Sequence, residues 1–258
     1  MSIVLSLLFV FALGATWGSF ANVLVYRLPL GYSAVHRSRC MNCHTVIRWY
    51  QNIPIFSHLF LKGRCAVCGT AIGLKSLIVE ILMGASFFQF AGIFGEEYGV
   101  IKVIFLGGVW ALFYAHFEID IKCQLLPDFI NALLALLFLG LAILEGRTFL
   151  EIVIGFLVGF LLPLSVAYGF FKLKGNIGLG GGDIKLFGVL GIFLGWRGVL
   201  ENIFLSCFLG AIIGILLMAI GVLKREKPFA FGPFIIIVAV IQIFYPFLLN
   251  YLPTLGRY

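Results

Sequence analysis

The sequence predicts an all-α protein: a polytopic membrane helical bundle of about eight transmembrane helices with a small cytoplasmic zinc-binding loop domain. Three observations carry that prediction. Hydrophobic residues make up 62% of the 258 and charged residues only 11%, with mean hydropathy +1.12. A soluble domain is nearer half apolar and a quarter charged. Apolar stretches recur along the chain at lengths close to the roughly 20 residues that one crossing needs. One segment breaks the pattern: residues 27–75 hold seven Lys and Arg, four of the six cysteines, and no Asp or Glu.

Residues 1–26 carry no charge and then meet Arg27. A basic flank behind and none ahead marks a first transmembrane helix rather than a cleaved signal peptide. The loop 27–75 follows, and its positive excess places it in the cytoplasm. The rest, 76–258, reads as one membrane region with spans at about 76–95, 100–119, 129–144, 148–171, 184–196, 199–222 and 229–250. The stretch 184–196 is short and glycine-rich, which fits a tilted or half-buried helix better than a full crossing. Alternate threading puts fourteen of the eighteen basic residues inside, Lys224, Arg225 and Lys227 among them, and leaves Lys102, Arg147, Arg197 and Arg257 outside. The outer connections hold Glu96, Glu97, Glu145, Glu151 and Glu201, and both termini come out external. The net charge of +7 is then a matter of orientation, and no nucleic-acid partner is expected.

Within the basic loop, Cys40-Met41-Asn42-Cys43 and Cys65-Ala66-Val67-Cys68 form two CxxC pairs separated by 21 residues. Each pair lets two thiolates converge on one ion, and two pairs complete a tetrahedral Zn²⁺ site, although this spacing falls just beyond the usual zinc-ribbon range. A loop this short has too little core to hold itself, so a structural metal would contribute much of its stability. Disulfides are the alternative, and the reducing side of the membrane disfavours them. His36, His44 and His58 lie in the same loop but are not needed as ligands, while Cys123 and Cys207 read as apolar fillers.

The chain contains only three aspartates, Asp120, Asp128 and Asp183, and all map to the inner ends of spans. Ionisable groups at membrane depth are costly unless paired, hydrated or neutralised, so each is a functional candidate. Asp128 follows Pro127 and opens a helix, where a capping role suffices. Asp183 follows Gly180-Gly181-Gly182, and glycines there permit close backbone approach or unusual dihedrals that a cap alone does not require. Asp120 sits at a helix C-terminus, where the dipole opposes a negative charge. Two carboxyls meeting in a low-dielectric site do not both ionise easily, so one keeps its proton and the other activates water. That is the chemistry of an aspartic protease. Lys122 and Lys185 lie nearby, and the simpler reading is that they snorkel to the inner interface.

Several further motifs accompany these residues: Gly18-Ser19-Phe20-Ala21-Asn22-Val23-Leu24-Val25-Tyr26-Arg27-Leu28-Pro29, Arg37-Ser38-Arg39-Cys40, Trp49-Tyr50-Gln51-Asn52-Ile53-Pro54 with Ser57, and Gly63-Arg64-Cys65. Over nearly its whole length the chain resembles the type IV prepilin peptidases, bacterial inner-membrane aspartic proteases of the GxGD kind. The resemblance selects Asp120, ahead of Leu126-Pro127-Asp128, as the first catalytic aspartate, and Asp183 in Gly180-Gly181-Gly182-Asp183 as the second. Lys122 departs from the acidic residue that many members carry at that position. The resemblance implies cleavage of the basic leader of type IV prepilins or type II secretion pseudopilins at the cytoplasmic face, typically after a glycine that precedes an apolar residue. It also implies N-methylation of the new terminus with S-adenosylmethionine, for which no Rossmann-type glycine fingerprint appears in the sequence. Expected partners are the substrate helices and membrane lipids, the basic loop meeting anionic headgroups.

Two other functional classes fit parts of the pattern. Intramembrane aspartates at broken helices also serve ion- or proton-coupled transporters, but such sites lie near the midplane and these three aspartates map to one interface. A zinc-stapled scaffold that recruits partners through the basic loop would leave the aspartates as caps, and Asp183→Asn would leave it working.

Overall fold

The computed structural model describes residues 3–175, 178–221 and 230–246. The predicted basic positions Lys224, Arg225, Lys227 and Arg257 and the far ends of the last two predicted spans lie outside the described residues. So do the side chains of 93–98, Glu96 and Glu97 among them. The described residues form seven α-helices: α1 Ile3–Arg27, α2 Phe56–Phe60, α3 Leu74–Cys123, α4 Asp128–Leu144, α5 Phe149–Lys174, α6 Gly181–Ala219 and α7 Gly232–Phe244. They divide into two units, Met1–Ala115 and His116–Tyr258.

Two of these helices are hairpins. In α3 the helical dihedrals break at Gly99 (φ 70, ψ 176) and in α6 at Gly195 (φ 70, ψ 177), a conformation only glycine adopts without strain. A straight helix would separate Phe87 from Gly107 by about 30 Å, yet the Phe87 ring covers Gly107, and the rings of Phe90 and Trp110 stand 5.8 Å apart. Likewise Phe187 and Val199, about 18 Å apart on a straight helix, both lie against Gly159. The eight predicted apolar stretches are therefore helical over most of their described length, with 76–95 and 100–119 as arms of α3 and 184–196 and 199–222 as arms of α6, whose helix ends at Ala219. The count of eight crossings is not itself confirmed. By length and composition, five segments among the described residues are able to cross a bilayer: Leu7–Leu30, Leu74–Gly92, Gly99–Cys123, Phe149–Lys174 and Gly181–Ala219. The arms of α6 count together there, and α4 and α7, with 17 and 13 residues, are apolar but shorter.

Hydrocarbon gives helices no hydrophobic reason to associate, so small residues that let backbones touch do much of the packing. In the first unit, Gly14 and Gly18 of α1 press on α3: a methyl at Gly14 would lie 2.8 Å from Gly84 Cα, and one at Gly18 would lie 3.0 Å from Glu80 Cα. In the second, Gly155 and Gly159 of α5 bring its backbone against Gly191 and Phe187 of α6. Polar side chains fix α7 in register. Fully buried Asn202 donates to Gln242 Oε1 at 2.8 Å, and Gln242 donates to the Gly198 carbonyl at 2.9 Å. α5 begins with a reciprocal cap, in which Thr148 N–H donates to Glu151 Oε2 at 2.9 Å and Glu151 N–H to Thr148 Oγ1.

Candidate active site

Asp120 lies three residues from the C-terminal end of α3 and is only 4% exposed. The chain then turns through Leu126 and Pro127 into α4. Asp183 occupies the first turn of α6, three residues after the N-cap Gly180. Its carboxyl folds back on the backbone of Gly180, where a methyl would stand 2.8 Å from Asp183 Oδ2. A carboxyl at this place complements the amides of a helix start.

The second unit gathers these pieces around one leucine. A methyl at Gly182 would lie 2.8 Å from Leu126 Cβ, and one at Gly232 would lie 3.1 Å from Leu126 Cδ2 and 2.7 Å from Asp120 Oδ2. The Gly232 amide faces the Asp120 carboxyl, and Asp183 stands close enough to feel the charge of Asp120. Asp120 Oδ2 is buried with no hydrogen-bond partner among the described residues. Gly180, Gly181 and Gly182 all have negative φ, so close approach, not unusual dihedrals, is what glycine supplies here.

Asp128 is elsewhere. It lies in the first turn of α4, makes no side-chain cap, and receives Lys185 Nζ at 2.7 and 2.8 Å on its two oxygens. Its side chain is 72% exposed, so the capping role is replaced by a solvent-facing ion pair. Lys185 is held in that pair instead of snorkelling alone, and Lys122 pairs with Glu118 at 2.8 Å.

Sequence reasoning missed two polar neighbours. His116, one turn before Asp120 on α3, is fully buried and its Nε2 meets Asn131 Oδ1 at 3.1 Å, while His116 Nδ1 and Asn131 Nδ2 are without partners among the described residues. A histidine four residues ahead of an intramembrane aspartate was the available signal. Gly232 left no signal, because its role is to lack a side chain.

In the first unit, Cys40, Cys43, Cys65 and Cys68 converge, with all four sulfurs within 4.8 Å of one another. The pairs Cys40–Cys68 and Cys43–Cys65 stand at 3.7 and 4.0 Å. Four sulfurs each about 2.3 Å from one Zn²⁺ are about 3.8 Å apart, so the cluster fits a tetrahedral ion. The two halves repeat one design. Cys40 and Cys65 donate their amides to the carbonyls of Thr45 and Thr70, beside the bridges Arg39–Val46 and Arg64–Ala71. The turns close at positive φ, at Gly69 (φ 69) and at His44 (φ 55). Asn42 donates to Thr70 Oγ1 at 2.8 Å, and the Cys68 thiol donates to the same oxygen at 3.3 Å. The hydroxyl and amide of Thr70 pull the Cys68 thiol down to about 5, and Thr45 acts on Cys43 in the same direction. Both shifts favour the thiolate that binds metal.

Comparison with known proteins agrees with both units. The model of the bacterial peptidase A24 N-terminal domain matches residues 12–94, and that of the type IV leader peptidase family matches residues 103–215. A prepilin leader peptidase/N-methyltransferase of Burkholderia pseudomallei (strain K96243) is 31% identical over 260 residues, covering 90% of this chain and 82% of that protein. The chain belongs to the type IV leader peptidase family. Proteins of the same name from Aeromonas salmonicida (strain A449), 34% identical over 90% of this chain and 87% of theirs, and from Myxococcus xanthus (strain DK1622), 37% identical over 81% of this chain and 62% of theirs, are further relatives. No solved structure matches. As a leader peptidase family member with several apolar helices, the chain is a multi-pass membrane protein.

Proposed function

We propose that this chain cleaves the basic leader from type IV prepilins or type II secretion pseudopilins and then methylates the new N-terminal amine. Asp120 and Asp183 form the proteolytic pair. What supports this reading is that, 63 positions apart in the chain, the two aspartates border one packing centre: Leu126 lies against Gly182, the neighbour of Asp183, and against Gly232, which in turn borders the Asp120 carboxyl. The two carboxyls share one proton. The ionised member takes a proton from water as the water oxygen attacks the scissile carbonyl carbon, and the protonated member gives its proton to the carbonyl oxygen. Collapse of the tetrahedral species breaks the C–N bond and returns a proton to the leaving amine.

The tetracysteine cluster holds a structural Zn²⁺ that fixes the loop 27–75, while 1–26 anchors that loop and 76–258 carries the proteolytic pair. Loop and active site face the cytoplasm of a bacterial inner membrane, since the basic residues of the loop belong on that side. S-adenosylmethionine supplies the methyl group, and prepilin helices and anionic lipids are the partners. The test is purified protein incubated with a prepilin, with and without methyl donor, followed by mass spectrometry of the mature N-terminus. A new N-terminus carrying one added methyl group only when donor is present is the expected result. An intact prepilin overturns the peptidase reading, and an unmethylated product overturns the second activity.

A further inference from the structure

Three of the four histidines lie in the basic loop, and the fourth, His116, is set within the apolar run of α3. An ionisable side chain at membrane depth is retained at a cost, so its partner indicates what it is for. That partner is Asn131 of α4, whose Oδ1 stands 3.1 Å from His116 Nε2, and both side chains are buried. An amide oxygen only accepts, so Nε2 carries the imidazole proton, and the bond has a fixed direction as well as a fixed length.

The bond sits directly behind the proteolytic pair. Asp120 follows His116 by four residues, about 6 Å further along the same face of α3. Asn131 lies in the first turn of α4, where the Pro127 carbonyl accepts the amides of Ile130 and Asn131 at 3.1 and 3.2 Å. The link between the two helices turns at Gln124 (φ 51) and presents Leu126, which lies against Gly182 and Gly232. His116 and Asn131 therefore pin the two helices whose junction carries both Asp120 and Leu126.

Stability alone does not account for this pair. Each member has a second buried polar atom, His116 Nδ1 and Asn131 Nδ2, without a hydrogen bond among the described residues. Such atoms subtract from stability, and an apolar pair of similar shape would avoid the loss. Apolar contact, however, tolerates sliding of one helix along another, whereas an N–H···O bond weakens steeply once its length or angle departs from the optimum. We infer that His116 and Asn131 are positioning residues for proteolysis, their bond fixing the register of α3 against α4 and with it the place of the Asp120 carboxyl beside Leu126. The inference rests on the reading that Asp120 and Asp183 cleave the leader.

The test compares His116→Leu, Asn131→Leu, the double variant and His116→Gln by steady-state cleavage of a purified prepilin and by thermal unfolding in detergent. A misplacement of about 1 Å costs about a hundredfold, so the three leucine variants should lose at least about tenfold in kcat with KM within about threefold. The double variant should lose no more than the worse single one, because both residues act through one bond. It should also unfold at or above the wild-type temperature, since no unpaired polar atom remains there. His116→Gln, whose amide nitrogen reaches about as far as the imidazole Nε2, should keep kcat within about threefold. A double variant that cleaves at the wild-type rate, or a glutamine variant as slow as the leucine ones, overturns the inference. A double variant that unfolds well below wild type or does not fold, additive losses, or losses carried by KM overturn it as well, because each gives the two residues another role. Wild-type protein that leaves prepilin intact fails the peptidase reading and this inference with it. Wild-type cleavage with unimpaired leucine variants fails only the positioning pair.

Discussion

Gly232→Ala tests the proteolytic pair without touching a carboxyl. The added methyl would lie 2.7 Å from Asp120 Oδ2 and 3.1 Å from Leu126 Cδ2. Ordinary contact lies near 3.5 Å, so the Asp120 carboxyl or the start of α7 must yield by roughly 0.5–0.8 Å. Since a misplacement of about 1 Å in a catalytic constellation costs about a hundredfold, kcat for prepilin cleavage should fall roughly ten- to a hundredfold. The fold should survive. Alanine gains about 1 kcal/mol over glycine in a helix, which offsets part of the strain, so thermal unfolding in detergent should shift by only a few degrees. The control is Gly169→Ala in α5, where an added methyl meets nothing within 4 Å and cleavage should be unchanged. Kinetics on a purified prepilin separate kcat from KM. If Gly232→Ala cleaves at the wild-type rate, the Asp120 carboxyl does not need the place described here and the reasoning fails.

Asp120→Asn and Asp183→Asn should each nearly abolish cleavage with the protein still folded, as gel-based processing assays and circular dichroism would show. Retained cleavage in either ends the assignment of a pair. Asp128→Asn should leave cleavage within about threefold of wild type, because an exposed ion pair is worth roughly 0–1 kcal/mol. A larger loss would give Asp128 a chemical role. Elemental analysis should find one zinc per chain, and Cys40→Ser should abolish it while reducing methylation more than cleavage. Finding no zinc refutes the tetrathiolate site. His44→Gly removes a left-handed cost of roughly 1–2 kcal/mol and should slow zinc loss to a chelator, an effect that competition with a chromophoric chelator would measure.

Much of this was legible in one dimension. Hydropathy marked the eight helical stretches, because a helix in lipid must be apolar along most of its length whatever its neighbours. CxxC spacing marked the four thiols, since ligands with two residues between them meet one ion by local geometry alone. The three aspartates stood out because carboxyls are rare among spans, and Glu80 and His116 carried the same signal unread. What hydropathy could not resolve was how many stretches cross. A hairpin at Gly99 or Gly195 depends on one glycine's dihedrals, and the short α4 and α7 depend on what they pack against.

Composition and local pattern settled the apolar helices, the two cysteine pairs and the short list of ionisable side chains, because each follows from contacts a few residues long or from transfer between water and lipid. Only the tertiary structure separated Asp128, spent on Lys185 at 2.7 Å, from Asp120 and Asp183, gathered around Leu126. It alone gave Gly232 a purpose. Which carboxyls border Leu126 and its glycines is set by helices touching at Gly155, Gly159 and Gly182, and a contact made by an absent side chain leaves no local trace in the sequence.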